Sequence, residues 1–372
     1  MHFQRCVTRY GGDAGVASFT CRAQFICLVF CQITQRESLR DIEACLNAVP
    51  SRWPQLGLPG PVARSALADA NERRDWRIYA DVARHLIKRA RKHYANEDLG
   101  LELSQPVYAL DSTTVDLCLS LFPWARFRRA KAAIKLHTLI DVRGAVPCFI
   151  NLTDGKGADV HALDELELEA GSFYVMDRGY VDWARLYVFV LAGAFFVIRQ
   201  KRNANITRLT SRPVDKSTGL RCDQTVWLRS ESSIRDYPDK LRRIGFRDAE
   251  TGRILVFLTN NFDLPALSIA QLYKLRWRVE LFFKWIKSHL RIKVFLGTSR
   301  NAVLTQVWTA MCAYLIVAIM KKELALPQSL YTILQVLGTH QFAQVPVAEL
   351  FKNDAQEGGA PESELQLTLN LL

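Results

Sequence analysis

No CxxC pair occurs among the nine cysteines, and none of the seven histidines stands in a zinc-finger spacing. A structural zinc or a disulfide framework is therefore disfavoured, and reduced, buried thiols in a cytosolic protein fit better. The N-terminus lacks a basic segment followed by an apolar run and a small-residue cleavage site. The apolar run Phe25 to Cys31 is too short to span a bilayer. The longest apolar stretch, Ala302 to Met320, carries Thr305, Gln306 and Thr309 and follows a charged segment, so it reads as a buried core helix. Glycine and proline are scattered (19 and 13), which excludes collagen-like and low-complexity classes. With 49% hydrophobic and 23% charged residues, the 372-residue chain is globular and long enough for two or three domains.

What is present in excess is positive charge. The chain carries a formal net charge of +12, and the window from Arg199 to Arg300 alone holds 22 Lys/Arg against 9 Asp/Glu, a net of +13. The remainder is nearly neutral. A surplus confined to one quarter of the chain suits one extended anion-binding surface, with nucleic acid as the first candidate partner. A solvated basic subdomain without a specific partner fits the charge equally well.

Residues 1–100 read as helical. Leu39, Ile42, Cys45 and Leu46 share one helical face behind Ser38, a plausible N-cap. After a Pro/Gly-rich connector, Ala66 to Ala95 resumes a helical pattern. Two helices around a turn resemble a helix-turn-helix, with a plain bundle as the alternative. Beyond Gln105 the pattern changes. Val107 to Asp111 is a strand, Ala133 to Val142 and Ala145 to Leu152 form a hairpin across Arg143-Gly144, and Ser172 to Asp177 is a buried strand. Asp159 can cap a short helix from His161 to Ala170. Val181 to Ala192 is helical, and Ala194 to Arg199 is another strand. This order predicts a mixed α/β sheet. Residues 201–262 lack helical periodicity and read as a β-rich insertion. One long helix is expected from about Ser268 to Leu290 and another over 302–322. The tail from Lys352 has four acids and one lysine and is expected to fray.

Three acids stand where chemistry is done. Asp111 and Asp177 each end an apolar strand, which places them at the carboxyl edge of the sheet. Two such carboxylates on neighbouring strands repel unless a cation intervenes, and an oxygen-rich site of this kind suits Mg²⁺ or Mn²⁺. Either aspartate alone is more simply a turn residue. Glu280 shifts that balance. It is the only acid between Lys274 and Arg300, and Tyr273, Arg276, Glu280, Lys284 and Lys287 fall within roughly one face of the expected helix. The plain alternative is a salt-bridged surface helix, since Arg276 and Lys284 are each four residues from Glu280.

The spacing Y-x2-R-x3-E-x6-K of Tyr273, Arg276, Glu280 and Lys287, together with Leu110-Asp-Ser-Thr-Thr, Ala133-Ile-Lys-Leu-His-Thr-Leu and Met176-Asp-Arg-Gly-Tyr, resembles the bacterial DDE transposases of the insertion-sequence-four family. The resemblance extends over about residues 3–350. It implies an RNase H-like catalytic domain in two parts, 101–200 and 263–325, separated by the 201–262 insertion. A helical DNA-binding region would precede it over 1–100, and a helical region with the acidic tail would follow over 326–372. Family members usually carry more sequence ahead of a segment like Arg9 to Asp13, which implies an N-terminus shortened here.

The implied catalytic and metal-holding residues are Asp111, Asp177 and Glu280. They would hold two Mg²⁺ ions, with Mn²⁺ as substitute, that activate water and stabilise the leaving 3′ oxygen. Arg276, Lys284 and Lys287 would contact phosphates. Tyr273 would donate to a phosphate or pack on the sheet, and Trp227 is the candidate aromatic for a flipped base. The basic segment Arg126 to Lys135 would lie beside the first acid. The implied partners are double-stranded DNA, as element ends and as target, and a second copy of the chain in a synaptic dimer. No membrane is implied, and the localisation would be cytoplasmic at the nucleoid. The implied activity is cutting of terminal inverted repeats, by way of hairpin ends, and joining to target DNA. Two rivals share the fold: a non-transposing nuclease and a catalytically impaired copy that represses by binding ends. A membrane-surface protein is disfavoured because Glu280 interrupts the most basic helix.

Overall fold

In a computed structural model of the chain, residues 2–351 are described except 119, 129–130, 156, 341 and 344, and side chains are not described at 126–128, 131 and 154. The expected fraying of the tail from Lys352, and Arg129 of the basic segment, therefore lie outside the described residues. For Arg126, Arg128 and Lys131 only the backbone is described.

The chain divides into two compact units, each discontinuous in sequence. One comprises Met1–Ala95, Val115–Ile134 and Phe283–Leu372, and the other Asn96–Thr114 and Lys135–Phe282. The first unit is built on helices. α1 (His2–Arg9), α2 (Cys21–Thr34), α3 (Leu39–Asn47), α4 (Trp53–Leu56), α5 (Arg64–Arg73) and α6 (Arg77–Tyr94) open the chain. Thr20 caps α2, and Ser38 caps α3 in a capping box with Asp41, so local hydrogen bonds start both helices where the apolar stripes begin. The helical pattern over 66–95 is broken at Arg74–Trp76. Arg74 turns to extended backbone, and the Asp75 carboxylate accepts from the Arg77 N–H at 2.9 Å, restarting the helix as α6. α2, α3 and α5 bury Cys27, Cys31, Ile42, Leu46 and Leu67 against one another.

Buried Gln24 ties this helical unit together. It donates to Asn71 at 2.8 Å and accepts from Tyr79 at 2.8 Å and Arg74 at 3.1 Å, so both ends of an amide that would be costly alone are hydrogen-bonded. Among the described residues, one helix is long and apolar enough to cross a membrane, α11 (Arg300–Glu323), and it lies inside this unit's core. Ser299 caps it. α12 (Leu330–His340) follows.

The second unit carries most of the sheet, which has ten strands among the described residues. They are β1 (Val107–Leu117), β2 (Arg126–Arg128), β3 (Lys131–Asp141), β4 (Val146–Asp154), β5 (Phe173–Met176), β6 (Phe195–Arg199), β7 (Ile206–Arg212), β8 (Leu220–Leu228), β9 (Leu241–Arg247) and β10 (Ile254–Thr259); β2, the end of β1 and the start of β3 fall in the first unit's sequence. The helices within this run are α7 (Trp183–Leu191), capped by Asp182, and the short α8 (Glu231–Asp236). The spatial order is β2-β3-β1-β5-β6-β10-β9-β8-β7, with β4 on the outer side of β3. Taken as β4-β3-β1-β5-β6, a hairpin beside three strands of which β1, β5 and β6 run parallel, this is an RNase H-like mixed sheet.

The strands of 206–259 do not stand apart from that sheet. β10 pairs antiparallel with β6, with Phe257 opposite Arg199 and Thr259 opposite Val197, so β10 to β7 extend it by four strands. Burial of Leu110, Tyr174, Met176, Leu186, Phe189, Phe196, Ile198 and Leu258 makes one core under both parts. A buried ion pair stiffens the extension: Arg242 donates two hydrogen bonds to Asp223, at 2.8 and 2.9 Å, and a third to the Leu264 carbonyl at 2.6 Å.

Candidate active site

β1 and β5 pair in parallel from Val107 opposite Phe173 to Leu110 opposite Met176. β1 is buried through Leu110 and half-exposed from Asp111 to Thr114. Asp111 and Asp177 are thus the next residues on neighbouring strands, whose backbones lie roughly 5 Å apart. The expectation that Asp111 ends its strand is corrected, because β1 runs on to Leu117. What ends at Leu110 is its pairing with β5, and that suffices to put both acids at the sheet edge.

The expected single helix from 268 to 290 is two helices, α9 (Ala266–Lys274) and α10 (Trp277–His289). Between them the backbone tightens to i→i−3 hydrogen bonds: Leu275 to Leu272, Arg276 to Tyr273, Arg278 to Leu275 and Val279 to Arg276. Tyr273 therefore lies on α9, Arg276 in the break and Glu280 in the first turn of α10, not on one continuous face.

That break lets Arg276 face two ways. Its Nη1 donates to Asp111 Oδ2 at 2.6 Å, and its Nη2 donates to Glu280 Oε1 at 2.5 Å. The second contact is the i,i+4 pair of the plain alternative. The first joins residues 165 apart in sequence and makes the pair part of a site. Burial pushes the Asp111 carboxyl up to about 6; Arg276 opposes the shift, and Glu280 and Asp177 add to it. The three carboxylates thus share one electrostatic environment, with a guanidinium as the cation between two of them.

The donor set is hard oxygen, which suits a divalent metal ion. Among the described residues no group of three or more acids, histidines or cysteines is gathered as a metal cage. In this conformation Arg276 occupies two of the three carboxylates.

Sequence reasoning missed the polar residues beside the acids. Asp159 does not cap a helix over 161–170. It begins a 3₁₀ turn, Asp159–Glu165, whose N-cap is Ala158, and its Oδ1 accepts from Ser112 Oγ at 2.6 Å. Lys135 Nζ stands 3.2 Å from the same oxygen, and buried His137 hydrogen-bonds Thr153 Oγ1 at 3.0 Å. Tyr180 is 1% exposed, and burial first, then the Asp159 and Asp111 carboxylates, push its phenol pKa up. Arg178, Lys201 and Arg202 were also passed over. They line a hollow of about 430 Å³ with Asp177, Gly179 and Asn203, where the loops after parallel β5 and β6 converge. The available signal was position: these residues lie just past strand ends at the edge that carries the acids.

The remaining expected residues scatter. Tyr273 is buried, with its ring 4.5 Å from that of Phe257 and the Arg276 guanidinium 5.8 Å from its centroid, so packing is its role in this conformation. Trp227, the candidate for a flipped base, stands away from Asp177. The register runs from Val226 opposite Leu241, through Arg242 opposite Thr259, to Thr259 opposite Val197, which sets Trp227 at the amino end of β6, the opposite edge from Asp177. There it lines a separate hollow of about 510 Å³ with Gly193, Phe195 and Tyr237. Lys284 and Lys287 fall on the part of α10 that belongs to the helical unit. Lys284 is exposed, and Lys287 has its amine pKa lowered by burial and then by Lys293.

Two acids at the edge of an RNase H-like sheet, one of them joined through an arginine to a third acid on α10, define a candidate nucleic-acid-processing centre. The chain belongs to the transposase DDE domain family, whose model matches residues 102–316. A second model, a domain of unknown function (DUF4372), matches residues 1–59. Among curated relatives, the y4zB protein of Sinorhizobium fredii, which carries the name transposase, is 32% identical over 267 residues, 70% of this chain and 73% of that protein. A protein named as the transposase of element IS5377 of Geobacillus stearothermophilus is 33% identical over 218 residues, 58% of this chain and 57% of its own length. One named for element IS4SA of Synechocystis is 25% identical over 285 residues, 74% of this chain and 77% of that protein.

Proposed function

We propose that the chain is the transposase of an insertion sequence of the insertion-sequence-four group, and that Asp111, Asp177 and Glu280 are its catalytic centre. The observation that carries this reading is Arg276 bridging Asp111 and Glu280 where Asp111 and Asp177 follow paired neighbouring strands. They would hold Mg²⁺, as two ions, with Mn²⁺ as substitute. The metal, when bound, supplies a Lewis acid that favours deprotonation of the attacking hydroxyl and neutralises charge on the leaving oxygen. Water oxygen bonds to the scissile phosphorus while the bond to the 3′ oxygen breaks, leaving a 3′-OH and a 5′-phosphate.

The protein's own task is positioning and charge neutralisation. Arg276 leaves the carboxylates and takes a phosphate oxygen as its new partner. Lys284 and Lys287 add phosphate contacts, and the hollow of Arg178, Lys201 and Arg202 beside Asp177 receives the adjoining backbone. The freed 3′-OH then attacks the opposite strand, giving a hairpin end, and after reopening attacks target DNA. Two ends are held by two copies of the chain. Because Trp227 stands at the other edge, it is not assigned to a flipped base at the cut.

The test is Mg²⁺-dependent cleavage of a duplex bearing the inverted repeat that flanks the gene. Asp111→Asn and Glu280→Gln are expected to abolish cleavage and spare DNA binding. Wild-type cutting by either variant refutes the assignment. Strand transfer by the wild type separates a transposase from a nuclease on the same fold, and a wild type that binds without cutting identifies an end-binding repressor.

A further inference from the structure

Asp159 has no part in the reaction as derived so far. Its carboxylate nevertheless touches elements on both sides of the acids. Oδ1 accepts from Ser112 Oγ at 2.6 Å, within the range of a hydroxyl bonded to an ionised carboxylate. The same oxygen lies 3.2 Å from Lys135 Nζ and 3.7 Å from His137 Nδ1. Lys135 also donates to the Gly157 carbonyl at 3.1 Å, which fixes the ammonium against this turn. His137 is 1% exposed and neutral near pH 7, since burial draws its pKa down to about 4, so Lys135 is the cation that Asp159 balances. Across the gap, a Cβ on Gly179 would stand 3.6 Å from Asp159 Oδ2, so the turn that follows Asp177 reaches the same carboxylate.

The need for such an anchor is visible in the sheet. β1 loses its β5 partner after Leu110, one residue before the acid. Successive strand side chains point to opposite faces, so a hold on Ser112 from one face fixes the backbone that presents Asp111 on the other.

The geometry points to Asp159 as a positioning residue for the acid centre: through Ser112 it fixes the strand carrying Asp111, and through Lys135 it keeps a cation at the same edge. This rests on the catalytic reading above. Groups of this kind act through their neighbours, and their loss costs on the order of 10–100-fold in metal affinity or activity.

The experiment compares Asp111→Asn, Ser112→Ala, Asp159→Ala, Asp159→Asn and Ser112→Ala/Asp159→Ala in single-turnover cleavage of the inverted-repeat duplex, with duplex affinity and thermal stability measured on the same proteins. Asp159→Ala and Ser112→Ala are expected to slow cleavage by about 10–100-fold while duplex affinity stays within about two-fold. Asp159→Asn, which keeps an oxygen for Ser112 and loses the charge, is expected to fall between wild type and Asp159→Ala. The double variant is expected to be no slower than Asp159→Ala, because the two residues act as one unit. Wild-type cleavage by Asp159→Ala beside an inactive Asp111→Asn overturns the inference and leaves the catalytic reading standing. Multiplying losses in the double variant, or cleavage losses matched by equal losses of duplex affinity, also overturn it. Wild-type cleavage by Asp111→Asn overturns the catalytic reading instead.

Discussion

Replacing Arg276 by glutamine tests the electrostatic logic of the site without DNA. The change removes a guanidinium that is bonded to Asp111 at 2.6 Å and to Glu280 at 2.5 Å, with side chains 14%, 19% and 34% exposed respectively. A hydrogen bond to a charged group contributes about 1.5–3 kcal/mol. The Glu280 contact is a third exposed and is discounted for solvent screening, leaving a loss of about 2–3 kcal/mol, or ~5 °C in melting temperature.

The pH dependence has a definite sign. The folded-state pKa of Asp111 lies above its ordinary value, at about 6, so this carboxyl is protonated in the fold below that point and charged above it. Arg276 holds this pKa down, so its loss in Arg276→Gln raises it further; repulsion between Asp111 and Glu280 is therefore greatest above that raised pKa, and the penalty shrinks as pH falls through it. Excess Mg²⁺ takes the place of the missing cation, and a ligand at a hundred times its dissociation constant stabilises by about 2.7 kcal/mol. Thermal melts with EDTA and with MgCl₂ are the assay. Mg²⁺ is expected to restore most of the loss in Arg276→Gln and to move the wild type little, because its own arginine must first be displaced. Equal Mg²⁺ shifts in the two proteins, or a variant as stable as wild type at the alkaline end of the profile, where Asp111 is charged in both, refute the reasoning.

Three other outcomes are expected. Arg178→Ala/Arg202→Ala removes two cations from the hollow beside Asp177 and should lower the salt slope of duplex binding by about 2, read from affinities across an ionic-strength series; an unchanged slope removes that hollow from the DNA path. The pKa of His137 falls from 6.5 unfolded to about 4 folded, so the unfolded chain binds the extra proton between these values and stability declines as pH drops from about 6.5 to 4. His137→Gln should flatten that limb of the stability profile, and an unflattened limb assigns it to other groups. Asp223→Ala strands buried Arg242, and such a break costs about 3–5 kcal/mol, enough to lower soluble yield and melting temperature far more than Asp215→Ala on the surface.

The parts of this molecule legible in the sequence were those written in local pattern. Strand-end acids after apolar runs, the caps at Ser38 and the strand-helix-strand order all follow from neighbours in the chain. Longer-range placement was not legible. The break at Leu275–Arg276 contains neither proline nor glycine, and what marks it is an arginine bonded to an acid 165 residues away. The extension of the sheet by β10 depends on an antiparallel register with β6 that no local motif announces. The same register carries Trp227 to the far edge. Asp159 was read as a cap because an acid before a short apolar run usually is one, whereas its partners lie on β1 and β3. The charge surplus survives in sharper form. Arg242 and Arg276 are committed to internal pairs, and the cations left to meet DNA include Arg178 and Arg202, which are exposed beside Asp177.

The central claim is that Asp111, Asp177 and Glu280 bind one metal centre. Loading the chain with Fe²⁺ in place of Mg²⁺ and generating hydroxyl radicals cuts the polypeptide wherever the metal sits, and the fragments can be mapped by mass spectrometry. The account predicts cuts grouped around 110–112, 177–180 and 276–280, strongest with duplex present or in Arg276→Gln, and suppressed by excess Mg²⁺. Cuts confined to other segments, or a pattern at these three that Mg²⁺ leaves unchanged, would contradict it.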